Sequence, residues 1–273
     1  MLKSNDNILN LKKIWNVGEY IKMKRTVFFL IVMLLHSASC FAAGKRFTLI
    51  TVDFPPYYGS ELPDNGWVSE VVRTALELQK YEVEFKFSSW TDALEYTGEG
   101  DYDALLGAYR TAKRARKYFF SAPIGQVRTG FFKSKKSGIS FSELPELKNY
   151  KIGVVKGYAN SKKFDAADYL KKIPVGNLDQ GLKMLYEGKL DLMADSKSVG
   201  NYRLTEFLEN DIPGISDNIE FIKPVLAMNK IYVAISKKAI NAQRKLIDFN
   251  KGLRKIYRNG SFKKIKKKHA LKK

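Results

Sequence analysis

Side chains able to do chemistry are scarce in this 273-residue chain. It holds two histidines, His36 and His269, and one cysteine, Cys40. His36 lies in an apolar run and His269 in a lysine-rich tail. Neither suits a buried Ser-His-Asp triad or a two-histidine metal site. A single cysteine excludes disulfide frameworks and cysteine-ligated zinc or iron–sulfur centres. Hydrolase and metalloenzyme chemistry is disfavoured, and no catalytic residue, metal or cofactor is assigned. What remains is charge and aromatic surface. Thr111-Ala112-Lys113-Arg114 sits among Arg110, Arg116 and Lys117. A guanidinium aims a fork of N–H donors at both oxygens of a carboxylate, each charge-assisted bond being worth about 1.5–3 kcal/mol. The same run also reads as a solvated basic face. Asp195 follows the apolar stretch Leu190–Ala194, where a carboxylate is costly unless it meets a cation. It could equally cap the segment that starts at Ser196.

These residues need elements to position them. Arg46–Val52 has a strand pattern, and Val68, Val71, Val72, Ala75 and Leu76 recur at helical spacing. Tyr81–Phe87 alternates as a strand does, Ser89-Trp90-Thr91-Asp92 reads as a capping box, and Tyr102–Ala108 is an apolar strand. A second block repeats the order. It comprises a strand at Lys151–Val155, a helix over Ser161–Leu170, a strand near Ile173–Val175, a helix from Asn177 to about Tyr186, and a strand at Leu190–Ala194. Both blocks close alike, with Gly100-Asp101-Tyr102-Asp103 and Gly188-Lys189-Leu190-Asp191. Alternating strands and helices predict two parallel-sheet α/β lobes. Two apolar stretches, Gly125–Lys133 and Phe221–Ile231, bracket the second block and supply two crossings between lobes. A strand at Ile231–Ser236 and a long amphipathic helix follow, with Ile240, Leu246, Phe249, Leu253, Ile256 and Tyr257 expected toward a core.

The N-terminus has a different logic. Val27–Leu35 is nine apolar residues behind Lys22, Lys24 and Arg25, with small residues up to Ala42. That is too short to span a bilayer, which takes about 20 residues, and it reads as a secretory signal peptide over 1–42, with Met23 the expected true start. Lys plus Arg number 48 against 28 Asp plus Glu, a net +20. Residues 1–42 account for +4 of this, so an exported chain would carry +16. After secretion such a balance implies a lysine-rich surface or attraction to anionic envelope polymers. The tail KKIKKKHALKK has no interleaved aromatics to stack on bases, which argues against nucleic acid.

In order and spacing, these fragments resemble the polar-amino-acid class of bacterial periplasmic solute-binding proteins, over roughly residues 46–269. The landmarks are Asp53-Phe54-Pro55-Pro56-Tyr57-Tyr58, Ser89-Trp90, Gly100-x-x-Asp103, Thr111-Ala112-Lys113-Arg114, Phe120-Ser121-Ala122-Pro123, Gly153-Val154-Val155-Lys156-Gly157 and Asp191-Leu192-Met193-Ala194-Asp195. The resemblance implies a two-lobed type II periplasmic-binding-protein fold, each lobe a mostly parallel sheet flanked by helices. Lobe one would be 43–130 plus 228–273, and lobe two 131–227, with a two-crossing hinge between them. It implies that Arg114 holds a ligand carboxylate, that Asp195 receives its ammonium, and that Phe54 and Trp90 flank its side chain. Flat apolar faces suit that role, and Trp90 can add cation–π attraction. Tyr57 and Tyr58 fall at the rim. Tyr109 stands where the family has a Ser or Thr, and Tyr158 and Ala159 replace small hydroxyl residues, departures that alter the cleft's donors. The implied protein is a periplasmic monomer that closes on an amino-acid-like ligand and serves a membrane ABC permease. Two other roles on such a fold are a cyclohexadienyl dehydratase, with Asp195 as acid, and a sensing module for a separate signalling partner.

Overall fold

The computed structural model describes residues 45–270, which form one compact unit. The expected signal peptide, Cys40, His36 and the first residues of lobe one lie outside the described residues. Strands β1 (Lys45–Thr51), β2 (Tyr81–Phe87) and β3 (Ala104–Ala108) alternate with helices α1 (Trp67–Glu77) and α2 (Trp90–Glu99). Helix α3 (Ala112–Lys117) and strand β4 (Tyr118–Phe120) lead into β5 (Gly125–Ser134). The second block comprises β6 (Lys151–Val155), β7 (Lys171–Val175), α4 (Leu178–Tyr186), β8 (Leu192–Ser196) and α5 (Lys197–Arg203). β9 (Ile219–Ser236), α6 (Ala242–Arg258) and α7 (Ser261–Ala270) complete it.

Hydrogen bonding runs in the order β2-β1-β3-β9-β5-β8-β6-β7, with β4 also on β9. Within each block the strands are parallel, β2-β1-β3 and β7-β6-β8. The long strands β5 and β9 pair antiparallel between them, from Gly125 opposite Ile231 to Ser134 opposite Ile219. The two expected crossings are therefore partners of each other. Phe221–Ile231 and Ile231–Ser236 are one 18-residue strand. Helices α1 and α6 bury Val68, Val72, Phe249 and Leu253 against the first block. Burying apolar side chains of this size stabilises by about 1.5–3 kcal/mol each.

The echoed Gly-x-x-Asp segments do the same work in both blocks. Asp103 accepts the amide of Thr48 at 2.9 Å, and Asp191 accepts the amide of Lys151 at 2.7 Å. In each case the acid stands one residue before its strand and bonds one residue before the first ladder pair of the neighbouring strand, Leu49 with Ala104 or Ile152 with Leu192. Each carboxylate thus satisfies a donor at the entry of a parallel ladder. Asp103 also ion-pairs with Lys245 of α6.

Three expectations need correction. The helix over Ser161–Leu170 is a single turn, Lys162–Asp165. Its apolar residues Phe164, Ala167 and Leu170 are three apart, and i→i+3 bonds join them, so all three reach the core without a 3.6-residue period. Ile240 is 80% exposed, because it precedes α6 and lies off that helix's apolar stripe, and Tyr257 is also partly exposed, at 45%. Closing strand β8 runs two residues further than the apolar pattern, to Ser196, which brings Asp195 inside it.

Candidate functional site

Five of the six expected site residues, Phe54, Trp90, Tyr109, Arg114 and Tyr158, line one small cavity together with Tyr58. Ser89 caps α2, its hydroxyl accepting the Asp92 amide at 3.1 Å, and this sets Trp90 at the first helical position. The reciprocal half of a capping box is absent, since the Asp92 carboxylate takes the Ser88 hydroxyl instead. Thr111 caps α3 in the same way, its hydroxyl accepting the Arg114 amide at 3.1 Å. The spacing Thr-x-x-Arg is thus an N-cap motif that turns Arg114 inward from an otherwise exposed basic helix. Arg110, Lys113, Arg116 and Lys117 do not share its burial.

The buried guanidinium is satisfied by main chain. Nη1 donates to the Tyr109 carbonyl at 2.9 Å, and Nη2 donates to the Gly157 carbonyl at 3.0 Å. Trp90 Nε1 donates to that same Gly157 oxygen at 3.1 Å, and the Arg114 cation lies 5.2 Å from the Trp90 ring centre. Gly157 turns with φ of 81°, a left-handed conformation suited to glycine, and Tyr158 packs edge-on to Trp90 at 6.0 Å. Burial pulls the Arg114 pKa down and pushes the phenols of Tyr58, Tyr109 and Tyr158 up. The cavity left among these groups is about 30 Å³. That holds a water or two.

Asp195 does not border this cavity but acts on it electrostatically. Its charge raises the pKa values of Tyr58, Tyr109 and Tyr158, after burial in each case. The side chain is 2% exposed. Oδ1 accepts the Ser196 amide at 2.5 Å, and Oδ2 has no partner among the described residues. Burial therefore pushes the carboxyl up to about 7, with the charge of Asp179 adding to the rise. The N-cap of α5 is Ser196, whose side chain makes no cap bond, so the reading of Asp195 as that cap is not met.

Sequence reasoning left Tyr57 and Tyr58 equivalent, and the structure separates them. Tyr58 is buried, stacks on Phe54 at 5.4 Å and lines the cavity, while Tyr57 turns toward Trp67. Gly107 makes this possible. At φ of 88°, and with the Tyr58 hydroxyl 1.9 Å from where a Cβ would stand, only glycine fits. A lone glycine within a strand pattern was the signal for it. Thr129 and Asn229 were also missed. Asn229 donates to the Thr129 hydroxyl and to the Asn160 carbonyl, tying β9 to β5 and to the loop after Tyr158.

For metals, Asp64, Glu70 and His269 bring three donor atoms within 4.8 Å. Lys268 already lies 2.9 Å from Asp64 and 2.8 Å from Glu70, so a single ammonium serves both carboxylates. Among the described residues no helix is long and apolar enough to cross a membrane.

Residues 50–272 match the family model described as bacterial extracellular solute-binding proteins, family 3. The chain belongs to that family. No curated protein sequence matches it. Solved structures share the fold of this solute-binding protein at low identity. A histidine kinase sensor domain with similarity to periplasmic binding proteins is 20% identical, with a TM-score of 0.69 over 82% of this chain and 96% of that one. The P235GK mutant of ArgBP from T. maritima is 15% identical, with a TM-score of 0.68 over 83% and 95%. An amino acid ABC transporter substrate-binding protein from Streptococcus pneumoniae, bound to L-arginine, is 16% identical, with a TM-score of 0.66 over 83% and 94%. The solute-binding protein thus has the two-lobed α/β fold expected from its sequence.

Proposed function

We propose that this protein captures a small zwitterion, an amino acid or derivative, in the cleft around Arg114 and delivers it to a membrane ABC permease. The observation that supports this most is a pair of opposite buried charges. Arg114 and Asp195 both act on the phenols of Tyr58 and Tyr158, one from α3 and the other from β8. A ligand carboxylate would replace the carbonyl acceptors of Arg114, and a ligand ammonium would supply the donor that Asp195 Oδ2 lacks. Phe54, Trp90 and Tyr109 would enclose the ligand from lobe one, 43–130 plus 228–273, and Tyr158 from lobe two, 131–227. A cavity of about 30 Å³ does not admit an amino acid. Entry therefore requires the Gly157 carbonyl to leave Arg114 and Trp90, a parting of the lobes about β5 and β9. The exported, periplasmic form would work as a monomer.

A thermal-shift screen of amino acids, their derivatives and small carboxylates tests this, followed by calorimetry of each hit. Zwitterions should raise the melting temperature, and analogues without the ammonium should bind at least tenfold more weakly. Equal binding of both classes would overturn the zwitterion reading. A sensing role has one observation behind it, the likeness to a kinase sensor domain. Uptake of the identified ligand by the reconstituted permease distinguishes transport from sensing. Turnover of prephenate would instead mark a dehydratase.

A further inference from the structure

The positive charge of this chain is concentrated at one end. Residues 249–273 hold eleven Lys and Arg and no acidic residue, whereas residues 43–248 hold 31 basic against 26 acidic side chains. The eleven cations account for most of the +16 carried after residue 42. Nine of them fall within the described residues, on α6 and α7, two helices that pack on each other and on α1 through Phe249, Leu253, Ile256 and Ile265. Their cationic sides are left to solvent. On α6, positions 247, 251, 254 and 258 fall within about 60° of one another around a helix of 3.6 residues per turn. They are Ile247, Lys251, Arg254 and Arg258, all exposed. No ion pair forms to these three cations among the described residues. Lys263, Lys264 and Lys267 are likewise exposed on α7.

An apolar side chain interrupts this charged face and another stands close before it. Ile247 is 58% exposed within the cationic stripe, and Ile240, two residues before the start of α6, is 80% exposed. Isolated surface cations need only water. Isoleucines set among them gain nothing from water, but both residue types gain at a lipid interface. There the aliphatic group enters the acyl boundary while flexible Lys and Arg stems reach anionic headgroups. A cluster of four to eight such cations suffices for measurable attraction to an anionic leaflet.

We propose that the exposed face of α6 and α7 docks on an anionic phospholipid surface, so that the receptor is held at the membrane while its cleft stays on separate elements. This goes beyond ligand capture and does not depend on which ligand is bound. The test uses protein beginning at Ala43, so that residues 27–35 do not contribute, with phosphatidylcholine vesicles containing or lacking 30% phosphatidylglycerol. Co-sedimentation at about 0.1 M salt should require the anionic lipid and vanish near 0.5 M salt. Lys251→Gln/Arg254→Gln/Arg258→Gln should weaken it at least tenfold, as should Lys263→Gln/Lys264→Gln/Lys267→Gln. A control triple elsewhere on the surface, Lys135→Gln/Lys136→Gln/Lys148→Gln, should change it less than threefold. Ile240→Ser/Ile247→Ser should weaken vesicle binding severalfold while leaving heparin affinity unchanged. Melting temperatures verify that each variant is folded. A control triple as damaging as the others would mean that net charge alone is read. Unchanged vesicle binding by the isoleucine variant, tighter binding to a 20-base-pair DNA duplex than to vesicles, or no sedimentation at all would each overturn the proposal.

Discussion

Two regions of the molecule, the cavity wall around Arg114 and the end of strand β8, treat a buried charge in opposite ways. On the first, Arg114 has carbonyl acceptors at 2.9 and 3.0 Å and an aromatic face at 5.2 Å. On the second, Asp195 is at least as deeply buried yet has a carboxylate oxygen with no donor. The difference follows from what main chain offers. A guanidinium needs acceptors, and loop carbonyls at Tyr109 and Gly157 are close enough to serve. A carboxylate at the end of a strand has its neighbours' amides already engaged in the ladder, leaving it one short bond to Ser196. The arginine is satisfied as it stands, while the aspartate keeps a cost that a proton, or a cation brought beside it, would relieve.

Arg114→Ala should have the largest effect. It strands the Tyr109 carbonyl, leaves the Gly157 carbonyl with only the Trp90 bond, and removes the proposed carboxylate anchor. Ligand affinity should fall about a hundredfold or more by calorimetry. Melting temperature without ligand should also fall, each unpaired buried acceptor costing about 1–3 kcal/mol. Retained affinity would break the comparison outright. Next comes Asp195. Its carboxyl is raised from an ordinary 3.8 to about 7 in the folded chain, so folding takes up a proton between those values. Stability from this group is fully present below about pH 4 and is lost as pH rises through 7, by roughly 2–4 kcal/mol. Asp195→Asn should abolish that slope. The variant should melt about 5–10 °C above wild type at pH 8, with little difference at pH 4. Parallel pH profiles would show that the buried Asp195 carries no such cost.

Gly107→Ala tests the first wall from behind. A methyl there meets the Tyr58 hydroxyl and sits at an unfavourable φ, so a loss of about 1–3 kcal/mol is expected by denaturant titration. Trp90→Phe removes the Nε1 bond to Gly157 and part of the ring packed against Arg114 and Tyr158, and should cost about 1–3 kcal/mol, with ligand affinity changed less than tenfold. Arg116→Ala, on the solvated side of α3, should alter affinity less than twofold. A loss equal to that of Arg114→Ala would mean that overall charge, not the inward-turned guanidinium, draws the ligand.

Cap residues made much of this site readable in advance. Ser89 and Thr111 announce the starts of α2 and α3, and a cap specifies which side chain begins the first turn. The α/β order was legible from strand and helix periods, and the echoed Gly-x-x-Asp segments prove to close the two blocks in matching register. Readings failed where a pattern was short or an element ended. The turn at Lys162–Asp165 buries residues three apart, which a helical period of 3.6 overextends, and Ile240 was carried into a helix that starts two residues later.

The sequence by itself determined the alternating elements, the caps, the family and the candidate residues, because these depend on neighbours within about four positions or on a spacing carried along the chain. The tertiary structure decided the partners. Arg114 meets Gly157 across 43 positions, Trp90 meets it across 67, and Asn229 meets Asn160 across 69. Which of Tyr57 and Tyr58 turns inward depended on a glycine about fifty residues away. The contrast between a satisfied arginine and an unsatisfied aspartate arose in the same way. Burial and hydrogen-bond partners are properties of what surrounds an atom, and here the surroundings of both charges come from distant parts of the chain.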